Sequence, residues 1–214
     1  MKKIRFTLAM MALVLCSLTV NAHDFKAGRI FYEIISEEDG TIAVTYEGTD
    51  KYNPDSHYTG EIRIPDHVSY YGKMYTVTRI GERAFMNCDS LISVSLPESI
   101  ERIEELAFDD CRNLKEIKMP SKANHIGSGA FNSCKQLESI QIREGVTILY
   151  YTTFWGCTNL KSVILPNSLL TLENGVFVDC DSLSTITLPD SIVKIGNYTF
   201  GYCEGELAHF LAEL

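Results

Sequence analysis

Phenylalanine recurs every 23 residues, at Phe85, Phe108, Phe131, Phe154, Phe177 and Phe200, and cysteine follows three positions later at Cys88, Cys111, Cys134, Cys157, Cys180 and Cys203. Ile80, Ile103, Ile126, Leu149, Leu172 and Ile195 make an aliphatic ladder with the same step, and Leu91, Leu114, Leu137, Leu160 and Leu183 make another. Val94, Ile117, Ile140, Val163 and Ile186 form a fifth; Leu96, Met119, Ile142, Leu165 and Leu188 form a sixth. Proline closes the unit at Pro97, Pro120, Pro166 and Pro189, with Arg143 as the one departure. A unit this short cannot bury its own apolar side, whereas stacked copies build one continuous core. The period therefore dictates a solenoid.

Within the unit, Leu91 to Leu96 alternates like a short strand with one face inward. Pro97 ends that strand, because proline cannot donate to a ladder. The stretch from Ile80 to Cys88 reads as a turn plus a short helical or 3₁₀ piece that carries Ala84 and Phe85 inward. The expected fold is an α/β-type repeat solenoid, with short parallel strands on one face and short helical or 3₁₀ turns on the other. Burying each ladder phenylalanine is worth roughly 1.5–3 kcal/mol, so the stack supplies much of the core.

The unit I-G-x-x-A-F-x-x-C-x-x-L-x-x-V-x-L-P, read from Ile80-Gly81-Glu82-Arg83-Ala84-Phe85 through Leu96-Pro97, resembles the leucine-rich repeat of BspA-like bacterial surface proteins. The resemblance covers residues 60–203. It implies a secreted or surface-displayed protein of a host-associated anaerobe. Some members of that family bind host matrix proteins or other bacteria, and the resemblance implies no catalytic residues.

Both ends depart from the repeat. Lys2, Lys3 and Arg5, the apolar run Phe6 to Val20 and the small residue Ala22 make residues 1–22 a secretion signal. A lipidated Cys16 is the alternative, against which stands Leu15 where lipoprotein signals want a small residue. The run is too short for a membrane span, which needs about 20 apolar residues. Residues 23–79 are expected to form a β-rich N-terminal cap. Arg29–Ile34 and Ile42–Tyr46 flank a turn at Asp39-Gly40, Ile62 and Ile64-Pro65 fit a partial coil, and a hairpin protrudes around Tyr71-Gly72-Lys73. The solenoid itself is expected over 80–203. Over 204–214, Leu207, Phe210, Leu211 and Leu214 share one helical stripe, so a capping helix is expected, the alternative being a truncated or frame-disturbed chain that has lost further repeats.

The formal charge of −9, made more acidic by loss of the signal's three cations, excludes the basic surface that nucleic acid requires. Six ladder cysteines in an exported chain invite a disulfide framework. All six hold equivalent positions, however, with no metal-ligand spacing, and read as buried thiols meeting backbone groups; bridges between neighbouring coils are the alternative. His23, His57, His67, His125 and His209 are scattered, and no nucleophile elbow or phosphate loop occurs. No catalytic residue, metal or cofactor is expected.

Two surfaces are candidates for binding. The outward strand positions are Ser93 and Ser95, Glu116 and Lys118, Ser139 and Gln141, Ser162 and Ile164, Thr185 and Thr187. This hydroxyl-rich face either bonds a glycan or extended peptide or is plain strand-favouring surface. The fourth coil breaks pattern, placing Tyr150-Tyr151 where other coils carry Gly81-Glu82 or Gly127-Ser128, and Trp155, the one tryptophan, after Phe154. Grouped exposed aromatics mark an interface; local repacking between coils is the competing explanation. These features point to a secreted, noncatalytic recognition or adhesion protein that binds a host matrix protein, a glycan or another cell-surface partner. The alternative is a scaffold module of the periplasm or envelope. An enzyme is the weakest reading, because Glu116 is the one carboxylate of the strand face.

Overall fold

The computed structural model describes residues 23–50 and 58–203. The expected signal, 1–22, and the expected tail or capping helix, 204–214, lie outside the described residues.

The described residues begin with β1 (Phe25–Ala27), β2 (Ile30–Ser36) and β3 (Thr41–Thr45), an antiparallel meander whose second turn contains Asp39-Gly40. β4 (Gly60–Arg63) follows, and then a hairpin of β5 (His67–Tyr70) and β6 (Lys73–Ile80). Tyr71 and Gly72 join the hairpin with φ of 45° and 78°, the left-handed pair that a tight two-residue turn demands. β3 pairs β6 in parallel, so the meander runs directly into the first solenoid ribbon.

That ribbon continues from β6 through β8 (Arg102–Ile103) to β10 (His125–Ile126), every pairing parallel and offset by 23 residues. β12 (Ile148–Leu149), β14 (Thr171–Leu172) and β15 (Lys194–Ile195) carry the same ladder position through the later coils. A second ribbon holds β4, β7 (Leu91–Ser95) and β9 (Glu116–Ile117), then β11 (Ser139–Gln141) and β13 (Ser162–Ile164). Parallel strands thus run along two sides of each coil, where the sequence pattern pointed to one. The first ribbon escapes sequence reading because two residues per coil are too few to show alternation.

The expected helical or 3₁₀ turns are not borne out. Between the ribbons the backbone alternates in hand: Arg83 and Asn87, Leu106 and Asp110, Gly129 and Ser133 all have φ between 56° and 59° or close to it, at 54° for Leu106. A residue of left-handed φ breaks a right-handed helix at once. The hydrogen bonds alternate accordingly. Ala84, Met86 and Cys88 N–H donate three residues back within their own coil, while Arg83, Phe85 and Asn87 N–H donate to Glu105, Ala107 and Asp109 carbonyls of the next coil at 2.8–3.1 Å. The turn segments are therefore a third hydrogen-bonded side of the solenoid, and their inter-coil bonds satisfy amides that a helix would have satisfied internally.

Inside lies the core. Phe85, Phe108, Phe131, Phe154 and Phe177 are fully buried and stack ring on ring, with centroids 4.9–5.5 Å apart and planes within 5°. Beside them, each thiol from Cys111 onward donates to the carbonyl of the preceding coil's phenylalanine, as in Cys111 Sγ to Phe85 O at 2.9 Å and Cys134 Sγ to Phe108 O at 3.2 Å. All six described cysteines are buried, and none is joined in a disulfide. Burial pushes the Cys157 thiol up to about 12, so these groups are neutral and inert. Ile100, Ala123, Val146 and Leu169 add a buried ladder on the return turn after each proline. Arg143 replaces proline there without breaking the turn: its carbonyl still accepts from Val146 N–H, and its Nε donates to Met119 O at 2.8 Å.

Candidate functional site

The fourth coil leaves β12 and enters its turn segment at Tyr150. Phe154 points into the core, so its neighbours Thr153 and Trp155 are directed by the alternating backbone. Thr153, where the first three coils carry alanine, is fully buried, and its hydroxyl donates to the Tyr150 carbonyl at 2.7 Å. That bond satisfies a polar group that burial would otherwise penalise. Trp155 turns outward and remains 43% exposed, with Nε1 donating to Asp179 Oδ2 of the next coil at 2.8 Å. Tyr151 is 54% exposed, and its N–H donates to Glu173 Oε2 at 3.2 Å. Tyr150 is only half-buried and lies against His125 of the preceding coil, with ring centroids 5.5 Å apart.

Tyr150 therefore parts company with the other two. It belongs to a polar cluster on the first ribbon, where Arg102 makes a two-point contact with Glu104 at 2.7 and 3.1 Å and His125 Nε2 stands 3.6 Å from Glu104. Burial, and then the Arg102 charge, hold the His125 imidazole below its ordinary range. Tyr151 and Trp155 form the exposed pair. Two coils further along the same turn side, Tyr198 and Tyr202 are 77% and 78% exposed. Sequence reading missed both. Tyr202 occupies the ladder position of Asp179, the residue that holds Trp155, and this register was the available signal.

The outward strand positions lie on a different side of the coil. Ser139 stands opposite Ser162, and Gln141 opposite Ile164, in the β11–β13 ladder. Ile164 is 56% exposed, an apolar residue among hydroxyls. Ser162, Ile164, Thr185 and Thr187 come together in a shallow groove of about 470 Å³, completed by Lys161, Asn167 and Pro189. Thr185 and Thr187, however, do not lie in a strand, and Ile186 between them is less buried than Val94, Ile117 or Ile140. The proposed strand face and the aromatic turn are thus two surfaces and not one. Among the described residues, no group of three or more His, Cys, Asp or Glu side chains is arranged to hold a metal, and no helix is long and apolar enough to cross a membrane.

Parallel ribbons, a stacked phenylalanine spine and a 23-residue step together define a leucine-rich-repeat solenoid. Six copies of the BspA type leucine rich repeat region match residues 78–206, and the chain belongs to that family. Solved structures agree. A leucine rich cell surface protein from Faecalibacterium prausnitzii is 27% identical with a TM-score of 0.62, the alignment covering 84% of this chain and 52% of that one. A leucine-rich repeat protein from Bacteroides ovatus is 29% identical with a TM-score of 0.62, covering 86% and 52%. The leucine rich repeat protein of T. pallidum is 27% identical with a TM-score of 0.64, covering 81% of each. The chain thus spans about half the length of the first two. No curated protein matches it.

Proposed function

We propose that this chain is a noncatalytic recognition protein, exported and held at the cell surface or secreted, that engages a protein or glycan partner through its turn side. The observation that carries this reading is the exposed aromatic pair Tyr151 and Trp155, at positions where the other coils carry Glu82, Glu105, Ser128, Asn174 and Asn197, and Met86, Asp109, Asn132, Val178 and Gly201, none of them aromatic. Exposed aromatic surface is costly to keep in water and is enriched where partners bind. The bond from Trp155 Nε1 to Asp179 fixes the indole in advance of contact, which lowers the ordering cost of binding. Tyr198 and Tyr202 extend the same side by two coils, roughly 10 Å at strand spacing. Membership of a repeat family whose Faecalibacterium relative is a cell surface protein supports the proposed location. Ser139, Gln141, Ser162, Ile164, Thr185 and Thr187 offer a second, hydroxyl-rich contact surface on the strand side.

The test is binding of the full chain to an array of host matrix proteins, mucins and bacterial glycans, run beside two variants. In one, Tyr151 and Trp155 become Ser; in the other, Tyr150 is changed as well. Saturable binding lost in both variants supports the turn-side site. Loss in the triple variant alone transfers the role to Tyr150 and the His125 cluster. A folded chain that binds nothing on the array speaks for a scaffold role.

A further inference from the structure

The N-terminal meander covers one solenoid ribbon and leaves the other open. The first ribbon continues through β6, β3, β2 and β1, whereas the second ends at β4, which pairs only with β7 among the described residues. Gly60 N–H donates to Ser90 O and Ile64 N–H to Ser95 O, so the even-numbered residues of β4 face β7. Amides alternate in direction along a parallel strand. The backbone N–H and C=O groups of Glu61 and Arg63 therefore point away from β7, towards the free edge.

That edge opens into a groove of about 600 Å³. Its far wall is the β1–β2 turn around Gly28 and Arg29, and its floor includes Ile30, Ile62 and Val68. Arg29 Nη2 donates to Thr59 O at 3.1 Å, tying the turn to the chain just before β4 and closing one end of the groove. The rim carries Arg29 and Arg63 against the single carboxylate Glu61, with His67 beside them. In a chain of formal charge −9 this is a local excess of cationic groups. No ion pair engages Arg29 or Arg63 among the described residues.

We infer that the β4 edge is a second binding site, which takes an extended acidic segment of a protein partner as an added parallel or antiparallel strand. Main-chain bonds to Glu61 and Arg63 would hold the segment, apolar residues of the groove floor would meet every second side chain, and the cationic rim would select carboxylates. This site goes beyond the turn-side reading and does not depend on it. Unpaired strand edges are ordinarily blunted or covered. Here the β1–β2 turn does not pair with β4 but lines the groove beside it.

The experiment uses the full chain and a peptide probe, Glu-Val-Glu-Val-Glu-Val-Glu with blocked termini, read by fluorescence anisotropy. Binding is expected to weaken at least tenfold when every Glu becomes Lys, and similarly in the Arg29→Glu, Arg63→Glu variant. Backbone dependence gives the sharper test. N-methylation of the three Val amides and of alternate Glu amides yields two probes, one of which is expected to lose binding and the other to keep it, because one strand edge alone faces β4. Equal affinity of both methylated probes, or no saturable binding of the parent peptide, overturns the proposal. So does sedimentation showing that the chain already pairs with itself through this edge, lost in Glu61→Pro. None of these outcomes depends on the aromatic turn, and the Tyr151→Ser, Trp155→Ser variant is expected to bind the peptide unchanged.

Discussion

Truncating one internal ring of the phenylalanine spine tests whether this core is a chain of nearest-neighbour contacts. Phe131 is fully buried and stacks at 5.3 Å on Phe108 and 5.5 Å on Phe154, within 2° of parallel on both sides. Phe131→Ala removes a whole aromatic side chain from a close-packed site, which costs about 3–5 kcal/mol. Losing two stacked partners, each worth about 0.5–1.5 kcal/mol, places this substitution at the upper end. Phe200 is slightly exposed, has one described stacking partner, Phe177, and leans 12° from it. Phe200→Ala is expected at the lower end, about 3 kcal/mol.

The assay is urea unfolding followed by circular dichroism for the whole array and by fluorescence of Trp155, the one tryptophan, for the fourth coil. Double-mutant cycles then separate stacking from burial. Phe108 and Phe131 touch, so their truncations are expected to couple by about 0.5–1.5 kcal/mol. Phe108 and Phe154 have a ring between them and are expected to add within about 0.5 kcal/mol. Coupling as large between second neighbours as between first would refute the nearest-neighbour picture. So would Phe131→Ala costing no more than Phe200→Ala. If the alanine variants unfold too early to measure, the same cycles run with leucine.

Four further outcomes are expected. Asp109 is buried with Oδ1 accepting from Asn132 at 2.8 Å, and burial raises its carboxyl to about 6. Between pH 4 and 6 the folded chain then holds a proton that the unfolded chain has lost, so stability falls as pH rises through about that window, by at most about 3 kcal/mol. Asp109→Asn is expected to flatten that fall in urea midpoints. The six ladder thiols are expected to resist a thiol reagent in the native chain and to react in full after unfolding without reductant; fewer than six of them reacting would reveal bridges. Because burial raises Cys157 to about 12 from an ordinary 9.0, stability also falls as pH rises above about 9, measurable as a lower urea midpoint at pH 10 than at pH 8. Gly127→Ala places a methyl 2.5 Å from Glu105 N and 2.7 Å from the Glu104 carbonyl carbon, backbone that cannot swing aside, and is expected to cost about 3 kcal/mol in thermal or urea unfolding.

What sequence could and could not show follows from how each position is selected. The Phe, Cys and Leu ladders were legible because the core accepts almost one side chain at each. Ile100, Ala123, Val146 and Leu169 are as deeply buried, yet their sizes differ from coil to coil, and that ladder was missed. The handedness of the turn segment was hidden for a similar reason. Its left-handed positions hold Arg83, Leu106, Thr152 and Tyr198 beside Gly129 and Gly175, a mixture without the glycine signature that would have excluded a helix. For the candidate site, variation at a ladder position drew attention to the fourth coil, but variation alone does not say which way a side chain points. Tyr150 sits at the position of Gly81 and Gly127, close to the neighbouring coil, and leans on His125; Tyr151, one residue on, faces water.

A solenoid also constrains how its surfaces relate. Each coil touches its immediate neighbours, so a change on one coil reaches another only through the coils between. From β4 to β13, beside the fourth-coil turn, is four strand steps, roughly 19 Å. Sites that far apart with no shared partner contribute to binding or stability additively, within about 0.5 kcal/mol. The two proposed sites, the β4 edge and the Tyr151–Trp155 pair, would then be independent contacts, and a partner that reached both would gain from linkage and not from any change in shape. A partner whose affinity drops with either the Arg29/Arg63 or the Tyr151/Trp155 substitutions, and drops by the product of the two when both are made, lies along the solenoid and bridges them. A drop in the double variant no larger than in one single variant would mean that the two surfaces serve different partners.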